Sequence, residues 1–421
     1  MKKWGLLLVF MLALSVVLPN TQSINANKSN YDHYHRQNFK TGLEMLQKEK
    51  LSLLEGKKVG LITNPTGVDR NLNSIVDVLY NNPKIELKAL FGPEHGVRGS
   101  AQAGQYVEFY TDPKTGLPVY SLYGPTKKPT PEMLDGIDVL VFDIQDVGTR
   151  FYTYIYTMAY AMQAAKENNI PFVVLDRPNP LGGSQVEGPV LDPEYSSFVG
   201  LYPIPLRHGM TVGELAKLFN KEFNINADLE VVKMKGWKRS WTYEESGLDW
   251  VLPSPNMPTK DTALVYPGSA LIEGTNVSEG RGTTKPFELI GAPFINGDDL
   301  ASALNAQALP GVKFRSASFI PSTSKFTGKL SHGVEIHVTD EKLFQPVLTG
   351  IALVKTIHDM YPDDFAFRAE DSAGKSYFDL LIGNGWVREA IESGSSVEDI
   401  VSRYNDELEQ FKKLREKYLL Y

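Results

Sequence analysis

Glu94 lies in the run Phe91-Gly92-Pro93-Glu94-His95-Gly96-Val97-Arg98-Gly99, between a Gly-Pro pair and a second glycine. A carboxyl held on so constrained a loop beside a cleft can be tuned as a general acid or base. It can equally be a turn carboxylate that pairs with Arg98, and the residues leave these two readings level. His95 is read as a general base, a metal ligand or, more commonly for such a residue, a hydrogen-bonded structural histidine. Glu94-His95 is not H-E-x-x-H, so the zinc-protease signature is absent. Asp143 and Asp146 close another apolar run and are read as carboxylates that shape the site. Their plainer role is burial against Arg150 or Arg177, each satisfying a guanidinium.

Arg98, Arg150, Arg177, Arg207 and Arg281 are candidates to hold an anion, because an arginine fork matches a carboxylate with two parallel bonds. For any one of them alone a structural ion pair is the stronger reading. Tyr152, Tyr154, Tyr156 and Tyr160 fall on one helix, where an aromatic face can stack on a sugar ring or simply pack on a sheet. Tyr152 and Tyr154, nearest the strand end, are best placed for a ligand. The loop 273–288 carries Asn276, Glu279 and Arg281 among three glycines, as a substrate-binding element or a solvated connector. Arg207-His208-Gly209 and the rigid stretch 253–258 complete the polar clusters, the latter as a cleft wall.

These clusters need elements to bring them together. Apolar runs of strand length occur at 57–63, 85–91, 117–123, 138–144 and 171–175. Helical patterns lie at 74–82 and 151–168, and a short helix is expected from 130 with Pro131 in its first turn. This alternation predicts α/β architecture: a Rossmann-like parallel sheet over 45–204, covered by helices. Ligands bind such sheets outside the carboxyl ends of the strands. Polar or Gly/Pro-rich clusters follow the strands there: 64–67, 92–99, 145–150 and 176–180, the last with Arg177 and Asn179. Four clusters at equivalent positions point to one polar site. Residues 205–421 are read as a smaller α+β domain with long cleft-lining loops. It would hold a capped helix at 211–223, strands at 229–234, 312–319 and 333–339, and helices at 297–307, 345–360 and 397–417.

Composition narrows the chemistry. The chain has 421 residues, 43 Lys+Arg against 50 Asp+Glu, and a net charge of −7, which argues against nucleic acid as a partner. There is no cysteine, so thiol nucleophiles and thiolate metal sites are excluded. No G-x-S-x-G, P-loop or G-x-G-x-x-G stands where it should, and no dense His/Asp cluster suggests a metal. No cofactor and no metal are expected. Lys2 and Lys3 precede a short apolar run, so residues 1–26 are expected to be a secretory signal peptide and 27–44 a linker. Carboxylate-based hydrolysis or pure ligand binding remains; a metal-dependent hydrolase using His95, Asp143 and His208 is a third possibility.

The motifs FGPEHGVRG (91–99), DIQDVGTRFYTYIYTM (143–158), LDRPNP (175–180), PSPNMP (253–258) and EGTNVSEGRGTTKPFE (273–288) together resemble the secreted exo-β-N-acetylmuramidases of Bacillus, glycoside hydrolase family 171, formerly a domain of unknown function. The similarity runs over about 56–421. It implies a Rossmann-like domain and a smaller C-terminal domain with the cleft between them. It further implies release of N-acetylmuramic acid (MurNAc) from the non-reducing end of peptidoglycan fragments, disaccharides or glycan chains ending in MurNAc. The enzyme would be secreted into the cell-wall space and would act alongside an endo-glucosaminidase and an amidase, with no stable complex implied. The family's favoured catalytic residue corresponds to Glu94. Asp143, Asp146, Glu279 and Glu273 are candidates for a second carboxylate, and acetamido assistance is a third route. The lactyl carboxylate of MurNAc calls for a cleft arginine: Arg177, then Arg150, then Arg281. His95, Tyr152, Tyr154, Asn179, His208, Asn276 and Glu279 complete the expected substrate contacts. A secreted sugar-binding protein without turnover is the alternative.

Overall fold

The run from 138 to 144 is apolar at almost every position because both of its faces are covered. In the computed structural model, which describes residues 38–99, 104–105, 107–370 and 374–421, Val139–Asp143 of this stretch forms a strand with no exposed residue. Val139 and Val141 join one apolar layer with Leu43, Ile75 and Leu79. Leu140 and Phe142 join the opposite layer with Ile155 and Ala159. A period of two with both phases apolar is the mark of a central strand. Each such side chain contributes about 1.5–3 kcal/mol on burial. The signal peptide expected at 1–26, most of the linker, and His33 and His35 lie outside the described residues.

The strands, in chain order, are β1 (Lys58–Thr63), β2 (Glu86–Gly92), β3 (Tyr110–Thr111), β4 (Pro118–Ser121), β5 (Val139–Asp143), β6 (Phe172–Leu175), β7 (Glu187–Val190), β8 (Pro205–Arg207), β9 (Leu229–Val232), β10 (Leu289–Ala292), β11 (Val312–Phe319) and β12 (Ser331–Val338). Seven of them form one sheet in the order β3-β4-β2-β1-β5-β6-β9. All its pairings are parallel except β3 with β4. The chain winds outward from β1 in one direction and from β5 in the other. The strand order therefore reverses between β1 and β5, which is where a crevice opens in such sheets. The sheet does not end at 204: β9, whose alternation was read as part of the second domain, is its edge strand. The other two sheets are antiparallel, β10-β12-β11 and the pair β7-β8.

Helices Tyr154–Glu167 and Val212–Glu222 cover one face of the large sheet, while Gly297–Ala306 and Pro346–Met360 pack in the C-terminal half. The expected helix from Thr130 is a set of turns. The tail helix is two helices, Val397–Arg403 and Asn405–Arg415. One apolar cluster runs without a break from Phe91 and Phe142 in the large sheet to Val334, Ile336 and Leu353 in the C-terminal half.

The capping box read at Thr211 is present: Thr211 Oγ1 accepts from Glu214 N, and the Glu214 carboxylate accepts from Thr211 N. This helix start is tied to the sheet by Asp176, the first residue after β6. Its buried carboxyl accepts from Tyr421 Oη at 2.6 Å, Thr211 Oγ1 at 2.8 Å, Gly213 N at 2.8 Å and Arg177 N at 3.0 Å. Burial, with the nearby Glu214 charge, still raises this carboxyl to about 7.

The folded chain thus keeps a proton on Asp176 where the unfolded chain, titrating near about 3.9, has lost it. Stability is expected to fall as pH rises from about 4 to about 7, by up to roughly 1.4 kcal/mol per pH unit for this one proton. Asp176→Asn, which mimics the protonated form, should remove that part of the slope in urea titrations run at several pH values. An unchanged slope would assign the dependence elsewhere.

Candidate active site

The loop after β2 turns back on itself in five residues. Gly96 N donates to Pro93 O at 2.9 Å, and His95 and Gly96 both have left-handed backbone, φ 72° and 75°. Left-handed geometry is rare for a residue with a Cβ, though histidine is among the types that tolerate it. The loop is packed so closely that a Cβ on Gly92 would lie 2.9 Å from Val97 N. This turn holds Glu94 half-buried at the sheet edge, with Oε1 accepting from Gly104 N at 3.0 Å. Arg98 does not pair with it; the Arg98 fork binds buried Asp112 through two bonds of 3.0 Å. The charge of Glu94 is felt at Tyr123, whose hydroxyl is pushed up to about 12, mostly by burial and then by this carboxylate.

Glu94 and His95 line a cavity open to solvent, together with Phe151, Tyr152, Thr153, Tyr154, Ser254, Asn256, Met257, Tyr266, Arg281 and Phe287. One wall comes from the large sheet and the other from the C-terminal half. The stretch 253–258 forms part of the rim, as its rigidity suggested. It is pinned to the sheet by Tyr154 Oη, which donates to Pro253 O at 2.5 Å, and by Asn64 Nδ2 to the same oxygen at 3.4 Å. The aromatic rings interlock edge to face: Tyr152 on Tyr154 at 5.0 Å, Tyr152 on Tyr266 at 5.8 Å, and Tyr266 on Phe287 at 4.7 Å. Such contacts fix ring orientation as well as burying area. Tyr156, by contrast, is fully buried against Phe219.

Arg281 is the arginine that reaches this cavity. Its guanidinium lies 5.0 Å from the Phe287 ring centre. Behind it, Nη2 donates to Glu273 Oε1 at 2.7 Å and Nε lies 3.3 Å from Glu279 Oε1. Glu279 Oε2 is in turn 3.1 Å from Lys325 Nζ, and Lys325 also donates to the carbonyls of Ile272 and Val277. Burial, with Glu279 nearby, raises the Glu273 carboxyl, and Arg281 opposes that shift. The two acids hold the Arg281 guanidinium more firmly charged. The hydroxyls of Tyr266 and Tyr377 are raised by burial, then by Glu273 and, more weakly, by Glu94. The Glu94 loop and the Arg281 cluster therefore share one electrostatic environment.

The other sequence candidates lie elsewhere, and each has a local reason. Asp143, fully buried, faces Arg177: Nε to Oδ1 is 2.5 Å and Nη2 to Oδ2 is 2.8 Å, with Nη2 also donating to Val68 O. Burial raises Asp143 while the fork pulls it back, and Arg177 is held charged by the same pair. Both are therefore spent on each other and do not line the cavity. Arg150, ranked second for the lactyl carboxylate, has no exposed surface and donates to the carbonyls of Pro189, Ile204 and Leu381. Burial lowers it to about 10. Asp146 accepts from Gly148 N at 2.7 Å and stands 3.5 Å from His208 Nε2; His208 Nδ1 accepts from Met210 N. Asn179 bonds Met210 O and Leu181 N, and its Oδ1 would lie 2.4 Å from a Cβ on Gly148. Asn276 bonds Asp364 O and Ala366 N, holding a neighbouring loop. His95, Asp143 and His208 do not converge: among the described residues no group of three or more His, Asp or Glu is placed to hold a metal.

Reading the sequence missed Phe151, Tyr266 and Phe287 in the wall, Tyr123 beside Glu94, and Lys325 and Tyr377 behind Arg281. Phe287 was inside a motif already singled out. Tyr266 and Lys325 had no local signal, because packing of the C-terminal half alone delivers them.

Residues 59–261 match the N-terminal domain of the exo-beta-N-acetylmuramidase NamZ family, and residues 264–421 match its C-terminal domain. The chain is 64% identical over 381 residues to the peptidoglycan beta-N-acetylmuramidase NamZ of Bacillus subtilis (strain 168), covering 90% of this chain and 91% of that protein. Two crystal structures of DUF1343 family proteins from Bacteroides fragilis NCTC 9343 superpose on it. One has a TM-score of 0.84 at 43% identity, the other 0.73 at 33%. Each covers 91% of this chain and 99% of its own. The chain belongs to the exo-beta-N-acetylmuramidase NamZ family.

Removing one partner of the buried Asp143–Arg177 pair strands a charge. Asp143→Ala is expected to lower stability by about 3–5 kcal/mol in urea titrations. The double change Asp143→Leu with Arg177→Met should recover much of that loss. Stability unaffected by Asp143→Ala would show that the pair is not holding the strand ends.

Proposed function

We propose that this family member is an exo-acting glycoside hydrolase that releases MurNAc from the non-reducing end of peptidoglycan fragments. The observation that carries this reading is 64% identity, over 90% of the chain, to a peptidoglycan β-N-acetylmuramidase. The cavity supports it: one carboxyl at the sheet edge, a wall of tyrosine and phenylalanine rings for a sugar face, and one arginine for an acidic substituent. Placement in glycoside hydrolase family 171 is part of the same proposal. So are secretion through a signal peptide at 1–26 and action in the cell-wall space after an endo-glucosaminidase and an amidase.

Glu94 acts as the general acid. It gives its proton to the glycosidic oxygen as the bond from that oxygen to the anomeric carbon breaks; water then adds to the anomeric carbon and loses a proton. Gly104 N–H, bonded to Oε1, fixes the orientation of the carboxyl. His95, Tyr152 and Tyr154 shape the pocket that receives the sugar. Asp143, Asp146, Asn179 and His208 act at one remove, setting the strand-end loops that carry Phe151–Tyr154. Arg281, not Arg177 or Arg150, is the fork available to the lactyl carboxylate.

Glu94→Gln should fold with an unchanged melting temperature and lose about 10²–10⁴-fold in kcat/KM on an aryl β-MurNAc glycoside. Retained activity would remove Glu94 from this role. Arg281→Lys keeps the charge but not the two-pronged geometry. It should weaken inhibition by free MurNAc about 10- to 100-fold, the scale of one lost charged hydrogen bond. Inhibition by N-acetylglucosamine, which has no lactyl group, should not change.

A further inference from the structure

The charges behind the cavity are already balanced before any substrate arrives. Two carboxylates, Glu273 and Glu279, face two cations, Arg281 and Lys325, in a chain of contacts of 2.7, 3.3 and 3.1 Å. A substrate carboxylate brought to Arg281 adds a third negative charge with no further buried cation to match it; Arg368, the next cation, is exposed to solvent. In a largely buried cluster, with the Arg281 and Glu273 side chains 22% and 16% exposed, that surplus is costly, and carboxyl groups in such a position relieve it by taking a proton. We propose that the enzyme binds its anionic sugar together with one proton, taken from solvent onto Glu273. The inference rests on the reading that Arg281 receives the lactyl carboxylate.

Glu273 is the acceptor for geometric reasons. Glu279 has a cation on each oxygen, Arg281 on one and Lys325 on the other. Glu273 has one direct cation contact, Arg281 on a single oxygen, with Lys325 acting on it more weakly and Glu279 as a like-charged neighbour. The remaining groups that face it do not offer a better site. Tyr266 and Tyr377 carry hydroxyls whose ionisation is disfavoured by burial, and Arg368 lies against the Tyr377 ring. Glu94 lies across the cavity, within electrostatic reach of Tyr266. Protonated Glu273 releases part of the Arg281 fork, so the same event that removes a charge frees the donor the substrate needs. Glu273 is in this view a specificity-determining residue: it makes binding of an acidic sugar possible without leaving Arg281 unpaired when the pocket is empty.

Titration calorimetry of free MurNAc into the full chain tests this, in buffers of different ionisation enthalpy between about pH 5 and 8. The expected result is net proton uptake that grows towards one proton as pH rises, with affinity falling over the same span and the fall approaching about tenfold per pH unit where uptake nears one proton. N-acetylglucosamine should bind with no uptake. Glu273→Gln should bind MurNAc without uptake and with affinity independent of pH. MurNAc binding with no proton uptake anywhere in the range overturns this inference and leaves the function intact, as does uptake that persists in Glu273→Gln. Failure to bind MurNAc, together with failure to cleave its aryl glycoside, overturns the function as well. The measurement on the unmodified chain decides the matter even where Glu273→Gln folds poorly.

Discussion

A guanidinium with no exposed surface and no carboxylate partner fixes the geometry of this protein. Arg150 spends its donors on carbonyl oxygens at Pro189, Ile204 and Leu381. Those oxygens belong to strand β7, the approach to β8, and the helix Tyr377–Ile382 in the C-terminal half. A single side chain therefore joins the loop after β5 to three distant segments. The residues that follow it, Phe151 to Tyr154, form the sheet-side wall of the cavity. Their position relative to the opposite wall is set by bonds that a smaller or shorter cation could not make. Lysine has one nitrogen where arginine has a planar fork. A Cβ on Gly383 would sit 2.5 Å from that fork, so even the helix end beside it is shaped to admit it.

The large sheet was legible in the sequence because its strands carry strong, redundant signals. Five apolar runs, four of them followed by polar clusters, pointed to the parallel architecture and the edge where the site lies. β9 was legible as a strand but not as a member of that sheet, since its pairing with β6 is a long-range fact. The cavity was half legible. Glu94, His95, Tyr152, Tyr154 and Arg281 stood in motifs and do meet around it. Arg177, Arg150, Asp143, Asn179 and His208 stood in the same motifs and turn inward. Nothing local distinguishes an arginine that faces a cleft from one that faces a carboxylate behind it. Burial decides, and burial is a property of the whole fold.

The charge pattern makes sense in that light. An acidic chain that takes an anionic sugar was expected to gather arginines at the strand ends. It does so, but most are neutralised or capped there by Asp143, Glu187 and backbone carbonyls. The cation left at the cavity comes from the 273–288 loop, whose glycines let it fold back on itself and on the β11–β12 turn. Gly282 is the clearest case: a Cβ there would lie 2.4 Å from Thr323 N. Recognition is thereby separated from chemistry. In the proposed function the sheet edge supplies the acid and the second half supplies the anion receptor.

The two halves that family comparison separates at residues 261 and 264 share one apolar cluster. Large hydrophobic surfaces such as Phe219, Phe287 and Leu353 belong to a layer that neither half completes alone. The two segments thus do not each enclose a core of their own. Exchange of one half between relatives carries a penalty at every contact of the shared layer, so the pair must change in step.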